Sequence, residues 1–237
     1  MEGITFLGKH SYKDFGFTLA PGKSIGNPEK EKMKVKPAFS NVEYDFSRIY
    51  GSQPYSTRSL KYPFNVFSTG VKSKQKMNSK RTQLINWLSN SNGKQKLYDD
   101  AFPGYYFLAE VEDGVDFDED YESGVITATF TAYPFMIADN PEGDAIWDTF
   151  NFELDVMQNI EYIIEGTRTI TLINAGTPNV FPDIESTGNM TIDLNGRSYT
   201  VDTGMTKNAR LPLNNGENHL TITGNGTIKF TFNKELI

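Results

Sequence analysis

The 237-residue sequence predicts a mainly β protein in two parts: an N-terminal β-domain, a barrel or sandwich with one α-helix and a long hairpin, followed by a β-sandwich. Three observations predict it. Short runs rich in Val, Ile, Thr, Tyr and Phe recur along the chain, a single segment has helical periodicity, and three Asn-Gly pairs separate closely spaced apolar runs near the C-terminus. Aromatic residues are plentiful, Phe 17 and Tyr 12, and suit strands with one face buried.

Residues 4–7 and 15–19 read as strands around a turn at 8–11, and the second alternates with period two. Residues 21–37, rich in Gly, Pro and Lys, read as a projecting loop or arm. Strand signals return at 42–46 and over 55–67, where Pro63 interrupts them. Met77, Leu84, Ile85 and Leu88 fall on one face at 3.6 residues per turn and predict a helix over about 77–90. Asn78 or Ser79 would cap its start, and Asn92-Gly93 would stop it. Residues 95–99, 105–111 and 124–133 read as strands, with an acidic hairpin tip over 112–123. The third of these alternates Ile126, Ala128, Phe130 and Ala132 with Thr127, Thr129 and Thr131.

Pro141-Glu142-Gly143-Asp144 reads as a linker, dividing the chain into an N-terminal β-domain over 1–140 and a sandwich over 141–237. In the second part strands are expected at 160–164, 169–174, 181–185, 190–194, 199–202, 209–213, 219–223 and 227–232. Asn195-Gly196, Asn215-Gly216 and Asn225-Gly226 read as tight hairpin turns.

Charge and composition exclude several function classes. Lys and Arg number 23 against 30 Asp and Glu, a net charge of −7, which argues against a protein that coats DNA or a membrane surface. The absence of cysteine excludes disulfides, zinc–thiolate sites, iron–sulfur clusters and cysteine nucleophiles. His10 and His219 are the only histidines, so a Ser-His-Asp triad would have to use one of them; a turn position for the first and a strand start for the second read as solvated or locally bonded. The N-terminus lacks the basic and apolar regions of a signal peptide, and no run approaches 18 apolar residues, so a soluble chain is expected.

The charge is also segregated. Residues 1–98 hold 17 basic and 6 acidic side chains, 99–140 hold 11 acidic and none basic, and 141–237 hold 6 basic and 13 acidic. The basic group Lys72, Lys74, Lys76, Lys80 and Arg81 and the acids Asp116, Asp118 and Asp120 read either as two solvated faces or as segments that meet, within one subunit or between copies, the last making them a candidate subunit interface. In a closed assembly of copies, acids lining its interior are the competing reading. The Asp116-x-Asp118-x-Asp120 spacing begins like a calcium loop, but Tyr121 and Thr127 stand where glycine and a bidentate glutamate are needed. Aromatics of the second part, such as Trp147, Phe150, Tyr162, Phe181 and Phe230, could stack on sugars but belong more naturally to a core. No catalytic, cofactor or metal site is predicted.

The order of motifs resembles the siphophage distal tail protein family. Ile4-Thr5-Phe6 is followed by Asp14-Phe15-Gly16, a basic loop and Tyr55-Ser56-Thr57-Arg58-Ser59-Leu60. Leu84-Ile85-Asn86-Trp87-Leu88, Leu97-Tyr98-Asp99-Asp100, Phe102-Pro103-Gly104-Tyr105-Tyr106 and the run from Thr127 to Phe135 come next. The resemblance covers about residues 1–137, and Asn174-Ala175-Gly176-Thr177 with Pro182-Asp183-Ile184 extends it into the second part. It implies a galectin-like C-terminal sandwich and a hexameric, non-enzymatic ring at the virion tail tip, assembled in the host cytoplasm. Such a ring leaves a channel for DNA and takes no cofactor. Its implied partners are the tail tube protein and the tail-associated lysin or fibre protein, with a receptor-binding or tape-measure protein as further contacts. Phage-like bacteriocins carry the same part. The alternatives are a carbohydrate-binding module of a host-adhesion device and a cell-wall glycan hydrolase.

Overall fold

The structure is a computed structural model that describes residues 2–66, 74–112, 116–119, 124–143, 153–207 and 209–237, and of 116–119 only the backbone. The protein is mainly β, as the sequence predicts, with a single helix among the described residues. It divides into two compact units: Met1–Ser47, Pro54–Met136 and Ile237 form one, Arg48–Gln53 and Ile137–Leu236 the other.

The first unit contains β1 (Ile4–Phe6), β2 (Lys9–His10), β3 (Thr18–Leu19), β4 (Ser24–Ile25), β5 (Lys34–Val35), β6 (Tyr44–Asp45) and β7 (Arg58–Asn65). The helix α1 (Lys74–Ser89) follows, then β8 (Gln95–Asp99), β9 (Tyr105–Glu110), β10 (Asp116–Glu119) and β11 (Gly124–Ala138). Its main sheet has the order β2-β1-β8-β9-β11-β7-β3, with β4 also on β7 and β10 on β11. Alternation works as the sequence predicts: Ile126, Ala128, Phe130 and Ala132 are fully buried while the intervening threonines are half-exposed. Phe6 and Tyr62 set their rings edge-on to Phe130, with centroids 5.3 and 5.8 Å away.

Several boundaries differ from expectation. β7 runs through Pro63, whose carbonyl accepts from the Ala20 N–H (2.8 Å). The first hairpin is tighter than a four-residue turn, because Leu7 and Gly8 both take positive φ, 50° and 73°, and close a two-residue connection that puts His10 in β2. The helix starts at Lys74, so Asn78 and Ser79 lie inside it, and Ser79 Oγ donates back to the Gln75 carbonyl (3.0 Å) instead of capping. Its buried face is Met77, Leu84, Trp87 and Leu88, with Ile85 only half-buried. Trp87 anchors the helix through its indole N–H, which donates to the Phe6 carbonyl (2.9 Å).

The second unit comprises β12 (Glu161–Asn174), β13 (Asp183–Ser186), β14 (Met190–Leu194), β15 (Arg197–Val201), β16 (Gly204–Thr206), β17 (Gly216–Thr231) and β18 (Glu235–Leu236). One hydrogen-bonded sheet, ordered β15-β14-β17-β13-β16 with β12 along β17, replaces the many short strands expected. β12 pairs with β17 from Glu161↔Lys229 to Asn174↔Gly216. β14 also pairs with β17, over Leu220–Gly224, and β13 pairs with it over Ile228–Thr231. The Asn225-Gly226 turn is therefore not a hairpin. Gly224 and Gly226 bend the strand at φ 150° and 131°, and a Cβ on Gly224 would stand 2.8 Å from Met190 Cγ and 2.9 Å from the Asn189 carbonyl. Asn195-Gly196 is the tight turn expected, at φ 53° and 77°. Residues 209–213 contribute a single bridge, Val180↔Leu213.

The segment read as a linker is pinned. Glu142 is buried, its N–H donates to the Phe232 carbonyl (2.8 Å), and Gln158 Nε2 reaches its carboxylate (3.3 Å). Burial raises the Glu142 carboxyl, opposed by the charge of Lys234, whose own ammonium burial lowers. Lys234 pairs with Asp155 and donates to the Leu154 carbonyl (2.9 Å).

In the first unit the central polar contact is Asp99. Its side chain is fully buried, accepts from Tyr62 Oη (2.8 Å) and pairs with Lys23 Nζ (2.7 Å). Burial and the neighbouring carboxylate drive the Tyr62 hydroxyl far above its ordinary range, so it stays a donor. Asp99→Ala would strand both partners and should lower the unfolding free energy by about 3–5 kcal/mol, read by urea denaturation. A loss under about 1 kcal/mol would remove Asp99 from that central role.

Candidate assembly surface

The segment from residue 29 to 47 leaves the main sheet as an arm. β5 and β6 form a sheet of their own, in the register Lys34↔Asp45 and Val35↔Tyr44. The Phe46 N–H donates to the Met33 carbonyl (2.8 Å), which continues that register by one pair. Period two then sorts the side chains cleanly. Lys32, Lys34, Glu43 and Asp45 take one face, where Lys32 pairs with Asp45 (3.2 Å) and Lys34 with Glu43 (2.6 Å). Met33, Val35, Val42, Tyr44 and Phe46 take the other.

The charged face is satisfied. Hydrogen bonds from Ser47, assisted by Lys32, hold the Asp45 carboxyl far below the usual range, and Glu43 raises the Lys34 ammonium. The apolar face is open: Met33 is 66% exposed, Val42 53%, Tyr44 52%, Val35 46% and Phe46 42%. A two-stranded ribbon has no independent stability in water, and a contiguous apolar patch on its face marks a contact surface. At its base the arm is tied down by the Lys30↔Tyr55 bridge and by the Met33 N–H donating to Ser47 Oγ (2.8 Å).

The sequence marks the start of α1 and the acidic hairpin, and the structure places their residues as follows. Lys74 and Lys76 lie exposed in the first turn of α1. Lys80 turns inward: its Nζ donates to the Phe15 carbonyl (2.9 Å) and sits 5.4 Å from the Phe17 ring centroid. Its charge is thus already engaged within its own unit. Arg81 is half-buried. Asp116 and Asp118 occupy alternate positions of β10, opposite Thr127 and Val125 of β11. Lys72 and Asp120 lie outside the described residues, as do Trp147 and Phe150 of the sugar-stacking reading. Phe230 is in the core and Phe181 is half-exposed.

His10 is locally bonded, one of the two states expected of it, although it lies in β2 and not in the turn. It is buried, and both ring nitrogens are committed. Nδ1 accepts from the backbone N–H of Tyr12 (3.0 Å) and Lys13 (3.1 Å), which puts the proton on Nε2, where it donates to Asp100 Oδ2 (3.0 Å). No ring nitrogen is left to take a proton from a nucleophile. His219 bonds to Thr171 Oγ1 (2.9 Å) on the exposed face of β17. Among the described residues, no group of three or more His, Asp or Glu is gathered as a metal ion would require. No described helix is long and apolar enough to cross a membrane.

No protein-family model matches the chain, and no curated protein sequence matches it. Among solved structures, the fold is similar to the SPP1 Dit (gp 19.1) protein, described as a paradigm of the hub adsorption apparatus in phages that infect Gram-positive bacteria. The TM-score is 0.58 at 13% sequence identity, and the match covers 98% of this chain and 99% of that one. The likeness establishes the fold over the whole length of both chains.

The His10–Asp100 pair predicts a pH dependence. Burial pushes the Asp100 carboxyl up, but the His10 ring N–H, the Gly3 N–H and nearby Lys13 together hold it below its ordinary value. A carboxyl lowered in the folded state stabilises the fold above its unfolded pKa, and that stabilisation is lost as pH falls through the folded value. Asp100→Asn should therefore flatten the acid limb of the stability curve below about pH 4. Parallel limbs in acid titrations of the two proteins, followed by circular dichroism, would contradict this.

Proposed function

We propose that this chain is a structural subunit of a phage tail tip, a hub that joins parts by shape. In this reading six copies close into a ring around a channel for DNA. The ring joins the tail tube protein to the tail-associated lysin or fibre protein, with receptor-binding or tape-measure proteins as further contacts. The observation that carries the proposal is the end-to-end correspondence of fold with a hub adsorption protein, both units in one chain. Three physical features support it. The arm exposes an apolar face that an isolated subunit leaves in water. The buried histidine is locked in a structural role. The net charge of −7 suits a conduit that must not hold the phosphates it transmits.

Two kinds of contact would hold copies together. The apolar face of the arm is covered by the next copy, and the bases Lys72, Lys74, Lys76 and Arg81 meet Asp116, Asp118 and Asp120 of a neighbour. Lys80, already bonded to Phe15, contributes only its field.

Negative-stain microscopy of the purified protein should show six-fold particles with a central hole, and single subunits at high concentration would overturn the reading. Val35→Thr with Tyr44→Thr should disperse the particles in native mass spectrometry while leaving subunit stability within about 0.5 kcal/mol, since both side chains are exposed. Charge reversal of Asp116, Asp118 and Asp120 to Lys tests the second contact separately. An intact ring with these three reversals would leave the apolar face as the sole contact.

A further inference from the structure

The tip of the arm carries a second anomaly. The Ser40 N–H donates to the Pro37 carbonyl (3.2 Å), closing a turn with Phe39 in its third place at φ 59°, a position that glycine or asparagine ordinarily fills. The ring of Phe39 is wholly in solvent, at 110% relative exposure. A bulky aromatic residue in the left-handed region is a genuine outlier, and such strain persists where a further contact offsets it.

The same unit holds a cavity of about 380 Å³ between α1 and the β1–β2 turn. Leu7, Phe15 and Trp87 supply its apolar lining, and Gln83, Asn86 and Asn90 line it from the helix. The lining is rigid. Trp87 is fixed by its bond to the Phe6 carbonyl and by Phe15, 4.8 Å between ring centroids, and Leu7 is held at φ 50° by the tight turn. Aromatic walls beside a row of carboxamides fit an aromatic side chain together with the peptide groups that flank it.

We infer that Phe39 of one copy seats in this cavity on the next copy. The inference rests on the hub reading above and names the contact by which the ring closes. The base of the arm and the cavity lie apart within one unit. The arm leaves beside Tyr55, just before β7, whereas Trp87 packs on Phe64 near the end of β7. A knob of one copy in a hole of the next makes a head-to-tail contact, the kind that closes into a ring when its rotation is commensurate. Over residues 29–47 four lysines cancel four carboxylates, so the arm meets Lys9 at the cavity mouth without net repulsion. A second copy is therefore the occupant, because knob and hole are both present in this one chain.

The absence of cysteine makes the test direct. Full-length Phe39→Cys and Asn90→Cys proteins are mixed and treated with a short bis-maleimide. The expected product is a covalent dimer that contains one of each, and the double variant should give a ladder ending at six. Phe39→Gly keeps the turn and removes the ring, and should weaken association about 10- to 100-fold per contact with the melting temperature of the subunit unchanged or raised. A ring that forms without this cross-link and is unaffected by Phe39→Gly overturns the inference and leaves the hub reading standing. Linking of Phe39→Cys only to itself overturns it equally, since arms would then meet arms. Failure of the parent protein to associate at all overturns both.

Discussion

The rest of the molecule's behaviour follows from one mismatch in the arm: its charged face is fully paired and its apolar face is not covered. Lys32–Asp45 and Lys34–Glu43 close the polar side with ion pairs, while five apolar side chains on the other side stand about half in water. Exposed ion pairs contribute little stability, so the arm's shape is maintained mainly by its short ladder and its ties at Lys30 and Ser47. A ribbon of this kind gains its main stabilisation when something apolar lies on it.

Elsewhere the polar groups are spent on holding the fold. Arg58 is buried; its Nε donates to the Gly26 carbonyl (2.8 Å), its Nη1 to the Pro134 carbonyl (3.3 Å), and its guanidinium lies 5.2 Å from the Phe107 ring centroid. Burial lowers its pKa, yet a guanidinium remains charged, and the carbonyls and the ring face compensate the desolvation. Asp99, Tyr62 and Lys23 form a second closed set, and His10 with Asp100 a third. Each set ties strands distant in sequence: β7 to β8, and β2 to the residue that follows β8. Charges committed in this way hold the fold together.

Much of this was legible in the residue pattern. The alternation in β11 and the apolar stripe of α1 are direct consequences of period two and period 3.6, and both appear where expected. The hairpin at Asn195-Gly196 follows from the positive φ that this pair tolerates. The arm was half legible. Met33 and Val35 alternate with lysines, as Val42, Tyr44 and Phe46 alternate with acids, which is a two-faced hairpin around Pro37–Asn41. Alternation alone does not say whether the apolar face meets the core or the solvent, because both give the same pattern. The Asn225-Gly226 pair misled for a related reason: a glycine demanded by the close approach of Thr187 and a glycine demanded by a turn are the same letter.

The sequence by itself determined the mainly β fold class, the helix α1, the alternating faces of its strands and the segregation of charge, since all of these follow from local periodicity and composition. Only the tertiary structure decided which polar residues are consumed internally, as with Lys80 and His10, and which apolar residues are left outside, as with Phe39 and Tyr44. The physical reason is that burial is a property of position in three dimensions: a side chain's neighbours come from strands far away in the chain, and no local pattern records them.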